Sequence, residues 1–245
     1  MAIVLISDVH LCADRPAVTE LFLSFLEETA RTSEGLYILG DLFDGWVGDD
    51  AAEPEDKRVL AGLRVLTDAG VPLWVMQGNH DFLYGAGFAA ETGCRFLPDP
   101  YLLDHGGRRT VLTHGDLLCT NDVAYQHFRK VVRDPLWQAK QLAEPPAVRR
   151  ALAKNLLSLS HTHTAEKEDT TMAVSQATVA SFLRDQAATR LIHGHTHRPA
   201  QHRFWLDGQE VDRIVLPHWD VDAHGNATGG YVRCTPETHE IILLL

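Results

Sequence analysis

The chain has 245 residues, 45% of them hydrophobic and 22% charged, enough apolar mass for one large domain or two small ones and too much for a disordered chain. No apolar stretch is long enough for a membrane span, and the opening "MAIVLISDVHLC" lacks the basic start and small-residue cleavage site of a signal peptide, so a cytoplasmic protein is expected. The net charge of −11 opposes nonspecific attraction to nucleic acid, and Cys12, Cys94, Cys119 and Cys234 form no CxxC pair that would suggest a zinc knuckle or a disulfide framework.

In chain order, "AIVLIS" reads as a short buried strand, "PAVTELFLSFLEETAR" as an amphipathic helix and "GLYILG" as a second buried strand. "DKRVLAGLRVLTDAG" reads as a helix ended by Gly70, "VPLWVMQ" as a strand, "DFLYGAGFAAETG" as a helix ended by Gly93, and "RTVLTH" as a strand. Strand and helix alternate, which makes the class α/β. The alternation lapses between about 129 and 168, where two or three helices broken at Pro135 and at Pro145 and Pro146 are expected. This segment is read as a helical cap inserted into a single domain spanning 1–245. It carries Arg129, Lys130, Arg133, Lys140, Arg149, Arg150 and Lys154 against Asp134 and Glu144, a basic island on an acidic protein. Such a run fits a solvated helix face, or a surface for anionic lipid or a phosphorylated substrate. From about Thr189, "TRLIHG", "QHRFWLDGQEVDRIVL", "GGYVRCT" and "THEIILLL" read as successive strands with a hairpin turn at Asp207 and Gly208.

The acidic and imidazole residues fall at one kind of place. Asp8 and His10 follow the first strand, Asp41 and Asp44 the second, Asn79 the third, His114 the fourth, and "HGHTH" follows "TRLI". Ligands of open α/β sheets bind outside the carboxyl ends of strands, so these residues are expected to converge. Asp8, His10, Asp41, Asn79, His114, His195 and His197 offer carboxylate, amide and imidazole donors, a mixture suited to manganese, iron or zinc. A bridging carboxylate among them would let two ions sit about 3.5–4 Å apart, the spacing of two-metal phosphoryl hydrolysis. One DxH or HxH alone is a weak signal; the ordered set DxH, GDxxD, GNHD, HGD and GHxH is a strong one. His161 and His163 in "SHTHT" lack the preceding glycine and are read as non-ligating. His193 is read as the last residue of its strand, hydrogen-bonded beneath the site.

The blocks "DVH", "GDLFD", "GNHD", "HGD" and "GHTH" resemble those of the calcineurin-like metallophosphoesterases. That resemblance implies a four-layer sandwich of two mixed β-sheets flanked by helices, here with an inserted helical cap. A closer resemblance, carried by "YILGDLFDGWVGDD", "HGDLLCTNDVAYQHFR" and "LIHGHTHRPAQH", is to the UDP-2,3-diacylglucosamine hydrolase family. Those pyrophosphatases of lipid A synthesis release UMP and 2,3-diacylglucosamine 1-phosphate and also carry a helical cap. The resemblance implies that Asp8, His10, Asp41 and His197 hold one divalent ion and that Asp41, Asn79, His114 and His195 hold a second, manganese being the expected metal. It places Asp41, Asn79, His80 and His114 in catalysis. It places Asn79, His80, Asp122, Ser160, Thr164, Lys167 and His195 against the nucleotide or the glucosamine phosphate.

The same resemblance implies a lipid-linked nucleotide-sugar substrate, peripheral attachment to the cytoplasmic face of the inner membrane, and acyl chains sheltered by the cap. No nucleic acid and no obligate protein partner is expected. Two positions depart from the family pattern. His80 stands where the hydrolases carry Arg and the wider superfamily carries His, and "VLPHWD" stands where Gly-Asp precedes the Trp. His80 therefore keeps open a soluble metallophosphoesterase acting on a nucleotide or other small phosphoester, and a metal-poor binding scaffold is the remaining alternative. Asp122 also fits a helix cap, and Ser160 and Thr164 fit turn hydroxyls. The five Trp residues read as packing, with Trp46 and Trp137 as acyl-chain contacts if exposed.

Overall fold

The computed structural model describes residues 2–154 and 174–244. Ser160, Thr164 and Lys167, expected at the substrate, and the bystander pair His161 and His163 lie outside the described residues.

Three short apolar runs form the centre of the first sheet: β1 (Ile3–Ile6), β2 (Leu36–Leu39) and β3 (Leu73–Met76), parallel to one another and to β4 (Arg95–Leu97). Nearly every residue of β1 to β3 is buried, as strands covered on both faces must be. Antiparallel β11 (Ala227–Cys234) lies beside β1 and carries both β10 (Asp220–Val221) and β12 (His239–Leu244). The second sheet has the order β5 (Tyr101–His105), β6 (Arg108–Thr113), β7 (Arg190–His193), β9 (Gln209–Val215), β8 (Ala200–Leu206), with β6, β7 and β9 parallel. Both sheets are mixed.

The period of two along each strand sorts its side chains into separate cores. From β1, Val4 and Ile6 point to the outer face. There they meet Phe22 of α1 (Pro16–Glu28), Leu63 of α2 (Pro54–Asp68) and Phe88 of α3 (Ala86–Thr92). Ile3 and Leu5 point inward and pack between the sheets with Leu39, Met76, Leu112, Ile192 and Ile214. On the far side, Val179 and Leu183 of α7 (Gln176–Asp185) cover Val111, Leu191 and Val211. Helices, sheet, sheet and helix give the four layers expected.

The local differences have local causes. The helix expected from Asp81 begins only at Ala86, because Asp49 accepts the Gly85 and Phe88 N–H groups (3.0 and 2.9 Å) and sets a later start. Strands β4 and β5 and helix α7 do not stand out in the sequence. β4 is three residues long and β5 is only half-buried, so neither shows a clean alternation. Helix α4 (Val123–Val132) is capped by Asp122, which accepts the Tyr125 N–H at 3.1 Å, as the helix-cap reading of that residue expects. Proline at the first helical position opens α5 (Pro135–Leu142), and the chain is helical again as α6 over 146–154. In the β8–β9 hairpin, Asp207 and Gly208 both adopt positive φ (51° and 84°), the geometry of a type I′ turn.

Candidate active site

β1, β2 and β3 end side by side, and β6 and β7 end facing them from the second sheet. The loops leaving these ends bring all seven expected donors to one edge of the molecule. His10 Nε2 lies 3.2 Å from His197 Nε2, which lies 3.4 Å from Asp8 Oδ1. Asn79 Oδ1 lies 2.8 Å from His114 Nε2 and 2.9 Å from His195 Nδ1. Asp41 Oδ2 stands between the two groups, 3.8 Å from His10 Nε2 and 3.6 Å from His114 Nε2.

The backbone bears the cost of this convergence. Asp8, His10, Asp41, His195 and His197 all take positive φ, between 50° and 67°. Left-handed non-glycine residues cost on the order of 1–3 kcal/mol each and gather where function requires them. The glycines of the blocks have a steric reason. A Cβ on Gly78 would fall 2.0 Å from Asp41 Oδ1, and one on Gly194 would fall 2.2 Å from Asp8 Oδ2.

Two histidines reveal what the donors are prepared for. His114 Nδ1 donates to the Leu39 carbonyl at 2.9 Å, and burial pushes this imidazole down to about 3, so it is neutral and its Nε2 is a bare lone pair. That lone pair faces Asn79 Oδ1, another acceptor. His10 repeats the pattern: Nδ1 faces Asp44 Oδ1 at 3.3 Å and leaves Nε2 turned to His197 and Asp41. A carboxylate or carbonyl behind an imidazole is how metal-ligating histidines are oriented. Acceptors about 3–3.5 Å apart also match neighbouring ligands on an ion with bonds of about 2.1 Å. The donor set therefore fits divalent cations.

The calcineurin-like phosphoesterase family matches residues 1–199, the stretch that contains all seven donors. The chain belongs to that family. It is 47% identical over 219 residues to a UDP-2,3-diacylglucosamine hydrolase of Chromohalobacter salexigens, covering 89% of each chain. It is 45% identical over 223 residues to that of Aromatoleum aromaticum (91% of each) and 43% identical over 235 residues to that of Pseudomonas aeruginosa (92% of this chain, 97% of the other). A solved archaeal phosphodiesterase shares the fold over the full length of both chains, with a TM-score of 0.50 at 13% identity.

Around the donors, the calcineurin-like phosphoesterase places its charges deliberately. Burial pushes the Asp8 carboxyl up, but the His197 hydrogen bond and the neighbouring imidazoles outweigh it and hold the group well below the usual carboxylate range. Burial drives Asp41 well above that range. His80 lies across from Asp41 (Nε2 to Oδ2, 4.0 Å), and its Nδ1 meets Asp44 Oδ1 at 3.3 Å. Burial lowers its basicity, yet Asp41 and Asp44 together raise it to about 9. Asp44 thus serves both His10 and His80. His193 is buried with its Nδ1 on the Gly194 carbonyl at 2.8 Å. His218, at the second departure from the family pattern, stacks flat on His197 with ring centroids 5.0 Å apart.

Asp81 plays a part that sequence reasoning missed. Fully buried, it accepts N–H groups from Gly78 and Leu42 (2.7 Å each), Asp41 (3.2 Å) and Phe43 (3.4 Å), together with the Tyr84 hydroxyl. It ties the Asp41 loop to the Asn79 loop. The only sequence signal is its place as the last letter of "GNHD", which a turn aspartate would share.

The basic island turns partly inward. Arg129 pairs with Asp99 (2.6 Å) and Asp116 (2.9 Å), while Arg133 donates to the Gln77 and Gly78 carbonyls (3.0 Å each), directly behind Asn79. Buried Arg149 pairs with Asp50 at 2.5 Å, and Arg150 donates to the Ala51 carbonyl at 2.7 Å. Lys130, Lys140 and Lys154 remain exposed. Trp46 is buried among Phe43, Tyr84 and Phe88 and donates to Asp49, so it packs the core and is not available to an acyl chain. Trp137 lies partly buried against Phe82, whereas Trp205, expected to pack, is exposed on the β8–β9 hairpin.

Proposed function

We propose that this phosphoesterase hydrolyses the pyrophosphate bond of UDP-2,3-diacylglucosamine, releasing UMP and 2,3-diacylglucosamine 1-phosphate. The observation that carries the chemistry is the pair of donor groups sharing Asp41 Oδ2. Likeness along about nine-tenths of the chain to hydrolases of that name supports the substrate.

Asp8, His10, Asp41 and His197 hold one divalent ion and Asp41, Asn79, His114 and His195 the other, with manganese as the native metal. When bound, the ions supply a nucleophile at neutral pH and neutralise phosphate oxygens. The protein supplies position. The His80 N–H fixes Asp41 Oδ1 at 2.8 Å, which leaves Oδ2 to the ligand cluster, and the two oxygens of Asp8 accept the His195 N–H at 3.0 and 2.9 Å. His80, oriented at Nδ1 by Asp44 Oδ1 at 3.3 Å, donates from Nε2 to a phosphate oxygen of the substrate. Asn79 and His195 face the same phosphate, while Asp122 orders α4 beside it.

The segment from α4 to α6 suits a lipid-linked substrate. Val123, Val131, Leu136, Leu142 and Val148 are exposed along it, and so are Lys130 and Lys140. Apolar side chains flanked by lysines attach a protein to an anionic membrane surface without crossing it. No helix among the described residues is long and apolar enough to cross. These exposed apolar side chains favour this reading over a soluble phosphoester, which His80 alone would admit.

The test is UMP release from UDP-2,3-diacylglucosamine by purified protein with manganese, beside bis-p-nitrophenyl phosphate as a generic diester. Turnover of the diester without UMP release would overturn the lipid-precursor reading while leaving the hydrolase intact. His80→Ala is expected to lower UMP release on the order of 10²-fold with metal content unchanged, the usual loss for one charge-stabilising donor. His80→Arg restores a permanent cation and is expected to recover most of that loss. An arginine variant no better than alanine would show that the imidazole itself is required.

A further inference from the structure

The second sheet has a polar site at its other end. β7 begins at Arg190 and ends at His193, beside the ligands, so Arg190 lies about 10 Å away along the strand. Register places Arg190, Asp212 and Arg203 in one row across β7, β9 and β8. Arg108 reaches the same carboxylate from β6.

Asp212 meets all three guanidinium groups, Arg108 Nη2 at 2.6 Å, Arg203 Nε at 3.3 Å and Arg190 Nη2 at 3.7 Å. It is the only carboxylate paired with them among the described residues. Arg190 is 1% exposed, and its Nη1 is spent on the Cys234 thiol at 3.2 Å. Its Nε and Nη2 have no hydrogen-bond acceptor, nor does Arg108 Nε. Three guanidinium charges thus surround one carboxylate, with buried N–H directions unmet.

A buried charge left without a hydrogen-bonding counter-ion is costly. Water would meet the N–H groups and leave the charge. A tetrahedral oxyanion meets both, because its oxygens match the planar fork of guanidinium. The Arg203 and Arg108 side chains are 61% and 29% exposed, which opens the outer rim of the cluster to solvent.

We propose that Arg190, Arg108 and Arg203 form a binding site for a tetrahedral oxyanion of the phosphate class, separate from the candidate metal cluster. The ligand is either a free oxyanion or the terminal phosphate of a monoester. Sulfate, a tetrahedral anion that the hydrolase does not turn over, is the probe. Calorimetric titration of the full chain, with manganese present and at constant ionic strength, is expected to show one sulfate per chain in wild type and in Asp41→Asn. Binding is expected to weaken by about tenfold in Arg203→Gln, the loss of one charge-assisted contact, and to vanish in Arg190→Met. Should Arg190→Met fail to fold, the exposed Arg203→Gln position still decides. Absence of binding in wild type, equal affinity in Arg203→Gln, or loss confined to Asp41→Asn would overturn the proposal. Where sulfate binds Asp41→Asn, displacement by UMP identifies a phosphomonoester ligand, and failure to displace identifies a free oxyanion. Both of these results support the site.

Discussion

Asp41→Ala is expected to reduce UMP release by at least about 10³-fold and to leave fewer than two metal ions per chain. The loss exceeds that of a single transition-state contact because Asp41 Oδ2 stands between donors of both groups, His10 on one side and His114 on the other. The variant should nonetheless fold. Burial already drives the Asp41 carboxyl well above its ordinary range, and the Asp81 and Asp8 carboxylates push the same way. Without bound cations the buried charge is an electrostatic liability that offsets the acceptor lost to the His80 N–H, so its removal should change the melting temperature of metal-free protein little. The two states separate in one experiment. Manganese should raise the melting temperature of wild type by mass action and barely move that of Asp41→Ala. Asp41→Asn keeps an acceptor for the His80 N–H and removes the charge, and it should match alanine in activity. A variant that keeps two ions and the wild-type rate would sink the bridging role.

The donors were legible because residue chemistry and strand position agree along the ordered blocks. Asp8, Asp41, Asn79, His114 and His195 each follow a short apolar run that reads as a buried strand, and parallel strands bring their ends together. The glycines before Asn79 and His195 are dictated by close contact with the donors, since a Cβ on Gly78 would fall 2.0 Å from Asp41 Oδ1. What the sequence hid is whatever depends on direction. Arg129, Arg133 and Arg149 read as part of one basic surface, yet each turns inward to a carboxylate or carbonyl that lies far off in the chain. Helical spacing alone does not say which charges of a crowded segment meet water. Trp46 is the same case among apolar groups: its burial depends on Tyr84 and Phe88, which pack from another segment. Strand β4 escaped notice because three residues carry no period, and its place is set by pairing with β3.

Asp81 joins these two themes, since an unremarkable turn residue holds the loops on which the donors stand. Asp81→Ala would leave the Gly78 and Leu42 N–H groups, each now bonded at 2.7 Å, buried without an acceptor, and would weaken those of Asp41 and Phe43. At about 1–3 kcal/mol for each abandoned buried donor, the expected loss is about 3–5 kcal/mol, a large fraction of the stability of an ordinary domain. Asp81→Asn retains one acceptor oxygen and should lose roughly half as much, and Tyr84→Phe, which removes one hydroxyl partner, about 1 kcal/mol. Urea midpoints at constant m-value would rank the three variants. Metal binding should follow the same order. Asp41 and Asn79 sit on either side of this carboxylate, so loosening it moves ligands of both groups, and outer partners of metal ligands commonly govern 10–100-fold in affinity. The decisive comparison is between Asp81→Asn and Asp41→Asn. The first should lose stability together with metal affinity, the second metal affinity alone. If Asp81→Asn instead bound two ions as tightly as wild type, the link between the buried carboxylate and the ligand loops would be broken, and Asp81 would be a structural residue without a share in the site.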